Sequence, residues 1–410
     1  MGPGPRHARA WLFGVGLVAV SSIVFLARQD GELSVQSWRN LHFARRPSLS
    51  EAFLAYPMSR PPAYPMLLWL GSRLGAGPWA VNACLQALLV IGLAAIVRAR
   101  HGEALSLAAA LAYGLAHFGA VNMHQLTAEA LFAPLLLLFA LTASCYLAGA
   151  ARAWLLALAA TCALLCVTRL FALYFAVPAA LLGVLWLAPL PARRRWAHAA
   201  VVAAASLAPI ACWMYAAHAR TGFWTGDDRT VERSFSGNNE DLGELTTPAA
   251  NLRLTAETLI VDFFSPTRYA AHAVVARPYA PAPTEWAMLG VLGLAALTLG
   301  RAGIGALAKP PPLRSVLVAP VVIDAGLGLG FIAATIVIWS LGNNDPIYTR
   351  FLFPVYPLLL LAGFEAYAWL AARAERRRDL IPFRVLFAGF LAIQLARQLW
   401  VKPLPARFLG

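Results

Sequence analysis

Long apolar runs separated by short polar breaks occupy most of the chain. They cover residues 11–27, 79–97, 104–121, 127–148, 151–168, 170–188, 197–217, 286–300, 316–341, 351–372 and 383–401. Runs of about 18 or more apolar residues cross a bilayer as helices. The pattern therefore predicts an all-α polytopic membrane protein of about 11 transmembrane helices, forming a single integral membrane domain over 1–410. Two connections are long, 28–78 and 218–284, and threading the helices from a cytoplasmic amino terminus places both outside. Loops of that length are functional or disordered. In the first, Leu33 to Phe43 has an amphipathic spacing expected to lie along the membrane surface. Tyr64 to Leu74 is apolar but too short to span, and reads as an interfacial or re-entrant helix started by prolines. The second carries Trp224-Thr225-Gly226-Asp227-Asp228 and an Asn- and Gly-rich run from Ser236 to Gly243, and is expected to act as a lid.

Composition sharpens this picture. A chain that is 60% hydrophobic and 13% charged cannot hide its apolar surface in a soluble core. The net charge of +14 would suit nucleic acid, but its placement argues against that partner. Arg98, Arg100, Arg152, Arg193 to Arg195 and Arg376 to Arg378 all fall in inner connections, as the positive-inside rule requires. Cys84, Cys145, Cys162, Cys166 and Cys212 all lie within predicted spans, so no disulfide framework or zinc site follows. Arg6 and Arg9 precede the first span as in a signal peptide, but no small-x-small cleavage site follows, and the helix is expected to be retained. The Arg-rich, Lys-poor composition points to a bacterial inner (plasma) membrane.

Charged residues at the outer ends of spans are the candidates for chemistry. Asp30, with Glu32 two positions on, stands where the chain first leaves the lipid; burial there would raise a carboxylate pKa towards the range of a general base. The second acid could orient substrate or serve a divalent cation, the one cofactor the pair suggests. Two solvated loop acids are the plainer alternative. Glu129 heads a span, with Thr127 or His124 able to satisfy it, and carboxylates near lipid are costly enough to suggest function. Arg169, between two apolar runs, marks a tight outer turn where it could pair bidentately with a phosphate or simply snorkel. Tyr348 and Arg350, leading into the span at 351–372, could hold a phosphate head group. Asp324 and Glu365 lie towards the inner side, with no partner evident from sequence.

Taken in order, Asp30, the run Arg60-Pro61-Pro62-Ala63-Tyr64-Pro65, Ala128-Glu129-Ala130-Leu131-Phe132, Val167-Thr168-Arg169 and Tyr348-Thr349-Arg350-Phe351 resemble the type C (GT-C) membrane glycosyltransferase superfamily. The similarity is to its protein-mannosyltransferase-like and aminoarabinose-transferase-like members. The resemblance implies an enzyme that takes a sugar from a polyprenyl-phosphate donor and passes it to a lipid, glycan or protein acceptor on the periplasmic face. It makes Asp30 the catalytic acid and sets Arg60, Tyr64, His124, Glu129, Arg169, Tyr348 and Arg350 around the substrates. The chain departs from the pattern at Gly31, which separates Asp30 from Glu32 where many members have adjacent acids. The alternative is a transporter or lipid-linked-sugar flippase, which would place Asp324 and Glu365 at the centre and show internal symmetry. No such repeat is evident. A polymerase or ligase of lipid-linked sugars would rely instead on a large late outer loop.

Overall fold

The structure, a computed structural model, describes residues 5–27, 35–55, 61–222, 224, 248–265, 282–307, 313–341, 352–373 and 377–400. The order is α1 (Pro5–Ala27), α2 (Val35–Arg45), α3 (Leu49–Ala55), α4 (Ala63–Arg73), α5 (Pro78–His101), α6 (Glu103–Gly114), α7 (His117–His124), α8 (Glu129–Gly149) and α9 (Arg152–Thr168). Then follow α10 (Phe171–Tyr174), α11 (Ala176–Leu182) with a π turn Gly183–Leu187, α12 (Ala192–Thr221), α13 (Pro248–Phe264) and α14 (Pro283–Leu307). The chain continues with α15 (Leu313–Leu317), α16 (Pro320–Leu341), α17 (Tyr356–Ala371) and α18 (Ile381–Trp400).

Each apolar run of the sequence is helical, but the count of about 11 spans is not confirmed. Among the described residues seven helices are long and apolar enough to cross a membrane, or eight if one bent pair counts as a span. That pair is α6 and α7, expected as the single span 104–121 and bent by 51°. At the break the His117 N–H leaves the helical ladder and donates to Gln394 Oε1 at 2.9 Å, which satisfies it away from water. The run 170–188 is likewise interrupted, at Phe175, and closes in the π turn.

One end of the bundle is ionic. Gly102, at φ 90°, takes a conformation that favours glycine, ending α5 and opening α6. Arg98 pairs with Glu103 at 2.8 Å and lies 4.2 Å over the Trp11 ring, whose indole N–H donates to Ser106 Oγ. The amino-terminal end of α1 and the carboxy-terminal end of α5 therefore share this face. Arg100 Nη1 reaches Asp324 Oδ2 at 2.8 Å and Glu365 Oε1 at 2.7 Å, and His101 Nε2 lies 2.8 Å from Glu365 Oε2. Both acids that had no partner evident in the sequence are thus tied to α5, linking α5, α16 and α17.

The other end is built around α2 and α4. The amphipathic segment forms a helix, and one face of it packs against the protein: Ser37, Asn40, Leu41, Phe43 and Ala44 are buried, while Trp38, Arg39 and Arg45 are exposed. The short apolar segment at 63–73 is helical, and Gly71 lets it approach α5. A Cβ there would come within 2.4 Å of Val81 Cγ2, a stiff β-branched atom. Gly71→Ala is expected to cost about 1–3 kcal/mol through overpacking, measured as a lowered midpoint of thermal unfolding in detergent.

Candidate active site

Helices α8 and α9 build the centre. They are joined by a tight turn at Ala150, which adopts φ 50°. Their lengths are similar, so antiparallel packing returns Arg169, the residue after α9, to the level of Glu129, the first residue of α8. Arg169 Nη1 donates to Glu129 Oε1 at 2.5 Å; the acid is 2% exposed and the arginine side chain 23%. Each charge also matches its helix dipole, the acid in a first turn and the cation beyond a last one. A carboxylate so buried requires a charged partner. Arg169, expected from sequence only as a phosphate ligand, supplies it.

Around the pair, loop geometry is fixed by buried amides. The Tyr64 hydroxyl donates to Asn82 Oδ1 at 2.9 Å, and Asn82 Nδ2 donates to the Met123 carbonyl. Burial pushes the Tyr64 phenol well above its ordinary pKa; the Asn82 bond opposes the rise and the charge of Glu129 adds to it. Tyr64 is therefore a neutral hydrogen-bond donor within electrostatic reach of the acid. His124 lies beside Trp79, ring centroids 6.3 Å apart, at the end of α7. Ser37 Oγ donates to the Gln125 carbonyl, and Asn40 Nδ2 to that of Leu126 at 2.8 Å. Leu126 is buried at φ 48°, a left-handed conformation that costs a branched side chain about 1–2 kcal/mol. Strain of this kind collects where surrounding contacts over-determine a loop. The helix that follows segment 28–34 is thus docked on the turn that leads into Glu129.

Asp30, Glu32, Arg60, Tyr348 and Arg350 lie outside the described residues. The segment with Tyr348 and Arg350 joins the end of α16 remote from Asp324 to buried Leu352 and Phe353. Among the described residues, no group of three or more His, Cys, Asp or Glu side chains is placed to hold a metal ion.

Sequence reasoning missed a second polar cluster. Asp262 and Arg397, each 1% exposed, sit in α13 and α18. Arg397 Nη1 donates to the carbonyls of Val261 and Asp262 at 3.0 and 2.8 Å, and Gln394 Nε2 to that of Asp262 at 2.7 Å. Together they cap the carboxy-terminal end of α13, which lies within the expected lid 218–284. The Tyr356 hydroxyl donates to Asp262 Oδ2 at 2.5 Å. The available signal was Arg397 itself, a cation inside an apolar run. Tyr356→Phe is expected to destabilise the protein by about 1.5–3 kcal/mol, the range for a hydrogen bond to a charged group. Thermal unfolding of the two proteins in one detergent would measure it.

Fold and site define a polytopic helical membrane protein with a buried acid–arginine pair at one end of its bundle and an ionic cluster at the other. No family model matches the chain, and no curated protein matches it. Among solved structures it is similar to the crystal structure of ArnT from Cupriavidus metallidurans in the apo state, with a TM-score of 0.42 and 15% identity over 96% of this chain and 78% of that chain.

Proposed function

We propose that the protein is an inverting glycosyltransferase that moves a sugar from a polyprenyl-phosphate donor to a lipid, glycan or protein acceptor on the extracytoplasmic side of the membrane. The observation that carries the proposal is the Glu129–Arg169 pair, with its arginine partly open, at the end of the bundle away from the Arg98–Arg100 cluster. Arg169, assisted by Arg350, holds the phosphate of the donor, and its charge stabilises the phosphate more strongly as the glycosidic bond breaks. Glu129 fixes the orientation of Arg169. Asp30 takes the proton from an acceptor hydroxyl or amine, which attacks the anomeric carbon from the face opposite the leaving phosphate. The displacement resembles that of inverting glycosidases, with the acceptor replacing water. Docking of α2 through Ser37 and Asn40 supports a position of Asp30 near this pair. Glu32 assists as an orienting acid or as a ligand to a divalent cation, Tyr348 contacts the phosphate, and Arg60, Tyr64 and His124 border the substrates. Residues 218–284 close over the site and exclude water, which prevents hydrolysis of the donor.

The transporter alternative relied on Asp324 and Glu365, and both are bound to Arg100. The test uses membranes containing wild-type protein or Asp30→Asn, supplied with a panel of labelled polyprenyl-phosphate sugars. Wild-type membranes are expected to transfer label from one donor, and the variant at a rate lower by about 10²–10⁴, the contribution of a general base. Full transfer by the variant would remove Asp30 from the mechanism. No transfer from any donor, with ion-coupled uptake in its place, would favour the transporter.

A further inference from the structure

The ionic end of the bundle carries a surface that the proposed reaction does not use. The Tyr146 hydroxyl and His198 Nδ1 are 2.8 Å apart, so the carboxy-terminal end of α8 lies beside the amino-terminal end of α12. Helices α9 and α12 pack side by side, with the buried Cys162 within electrostatic reach of Ser206. Counting back equally from those two residues brings Arg152 level with Trp196, so both helices begin at the same height. Arg152, Arg193 and Arg194 are exposed, and neither helix has an acid in its first turn. None of the three forms an ion pair among the described residues. Arg195 is engaged otherwise, donating from Nε to the Leu190 carbonyl at 2.7 Å and from Nη1 to that of Leu185 at 3.2 Å. Exposed tryptophans accompany the arginines: Trp154 at 40%, Trp186 at 72% and Trp196 at 67%.

Three exposed guanidinium groups, without an ion pair among the described residues, thus stand at the starts of two neighbouring helices, where an anionic partner would offset their charge, and the guanidinium fork matches phosphate oxygens in pairs. A soluble anion would account for the arginines but not for the tryptophans. Indoles settle where an apolar body can meet acyl chains while the ring N–H stays among head groups. We infer that Arg152, Arg193 and Arg194 bind the phosphate of an anionic glycerophospholipid from the leaflet at this end, with Trp186 and Trp196 against its glycerol and upper acyl chains. The lipid would bridge α9 and α12 at the end remote from Arg169, the residue that follows α9.

The full chain in a neutral detergent, titrated with dioleoyl phosphatidylglycerol or dioleoyl phosphatidylcholine and followed by native mass spectrometry, tests the inference. The wild type is expected to retain phosphatidylglycerol preferentially. Arg152→Gln, Arg193→Gln and Arg194→Gln combined should weaken retention about a hundredfold, at about 1 kcal/mol for each arginine near a charged surface. Arg39→Gln with Arg45→Gln, exposed arginines on α2, should leave the preference intact. Trp186→Leu with Trp196→Leu alters no charge and should also weaken retention, which provides a second variant should the first fail to fold. Equal retention of the two lipids by the wild type would overturn the inference, as would wild-type retention by either set of patch variants. Displacement of the lipid by millimolar inorganic phosphate would do the same, by making a free anion the ligand.

Discussion

Arg169→Met is expected to lower sugar transfer by about 10²–10³, the usual effect of removing one preorganised charge stabiliser from a transition state. The same substitution leaves Glu129, 2% exposed, without its arginine partner, and breaking such a pair from one side costs about 3–5 kcal/mol. Loss of activity in this variant alone therefore mixes catalysis with folding. Glu129→Gln separates them. Combined with Arg169→Met it removes both charges, and the pair variant should recover most of the lost stability, because no uncompensated charge remains buried. Transfer should stay low, because the phosphate still lacks its cation. Recovery of transfer along with stability would make the pair purely structural. Unfolding midpoints and transfer rates of the four proteins in one membrane preparation complete the cycle.

The largest expected effect on stability lies at the opposite end. Arg100 is the cation that joins two buried acids, at 2.8 Å to Asp324 and 2.7 Å to Glu365. Arg100→Met should destabilise the protein by at least the 3–5 kcal/mol typical of one broken buried pair. His101 stays beside Glu365 but offers nothing at that distance to Asp324. The triple change Arg100→Met, Asp324→Asn and Glu365→Gln should be much milder than Arg100→Met alone, since neutral side chains cost far less to desolvate. Thermal unfolding of the purified variants in detergent would measure both. Transfer should survive the triple change once folding is restored, since this cluster lies at the end away from Glu129. A transporter that worked through Asp324 and Glu365 would lose its function instead.

The helices within the apolar runs were legible from apolar length alone, while their interruptions were not. Nothing apolar distinguishes Leu115–Ala116 from its neighbours; the break is stabilised by Gln394, which lies 277 positions from His117. Glu129 and Arg169 each stood out as a charge at the edge of a span. Their pairing could have been derived too, because two helices of similar length joined by a tight turn bring residues just before one and just after the other together. Asp324 and Glu365 had no such local rule. Their partner Arg100 is 224 and 265 residues away, and only tertiary packing brings it near. Asp262 escaped notice because it sits in a segment whose length suggested a loop, although its helix is held by Arg397 and Gln394. The expected surface helix has a packed face that its pattern did not mark. Ser37 and Asn40 look like the solvent face of an amphipathic pattern, yet they are buried because backbone carbonyls at Gln125 and Leu126 accept their hydrogen bonds.

The claim that Arg169 holds the donor phosphate is tested most directly by equilibrium binding of a labelled polyprenyl phosphate, the leaving group itself, to purified wild-type protein and to the Glu129→Gln, Arg169→Met pair variant. A lost charge-assisted contact of about 1.5–3 kcal/mol should weaken binding roughly tenfold to a hundredfold in the variant. Equal affinity in two proteins with matching unfolding midpoints would contradict the account.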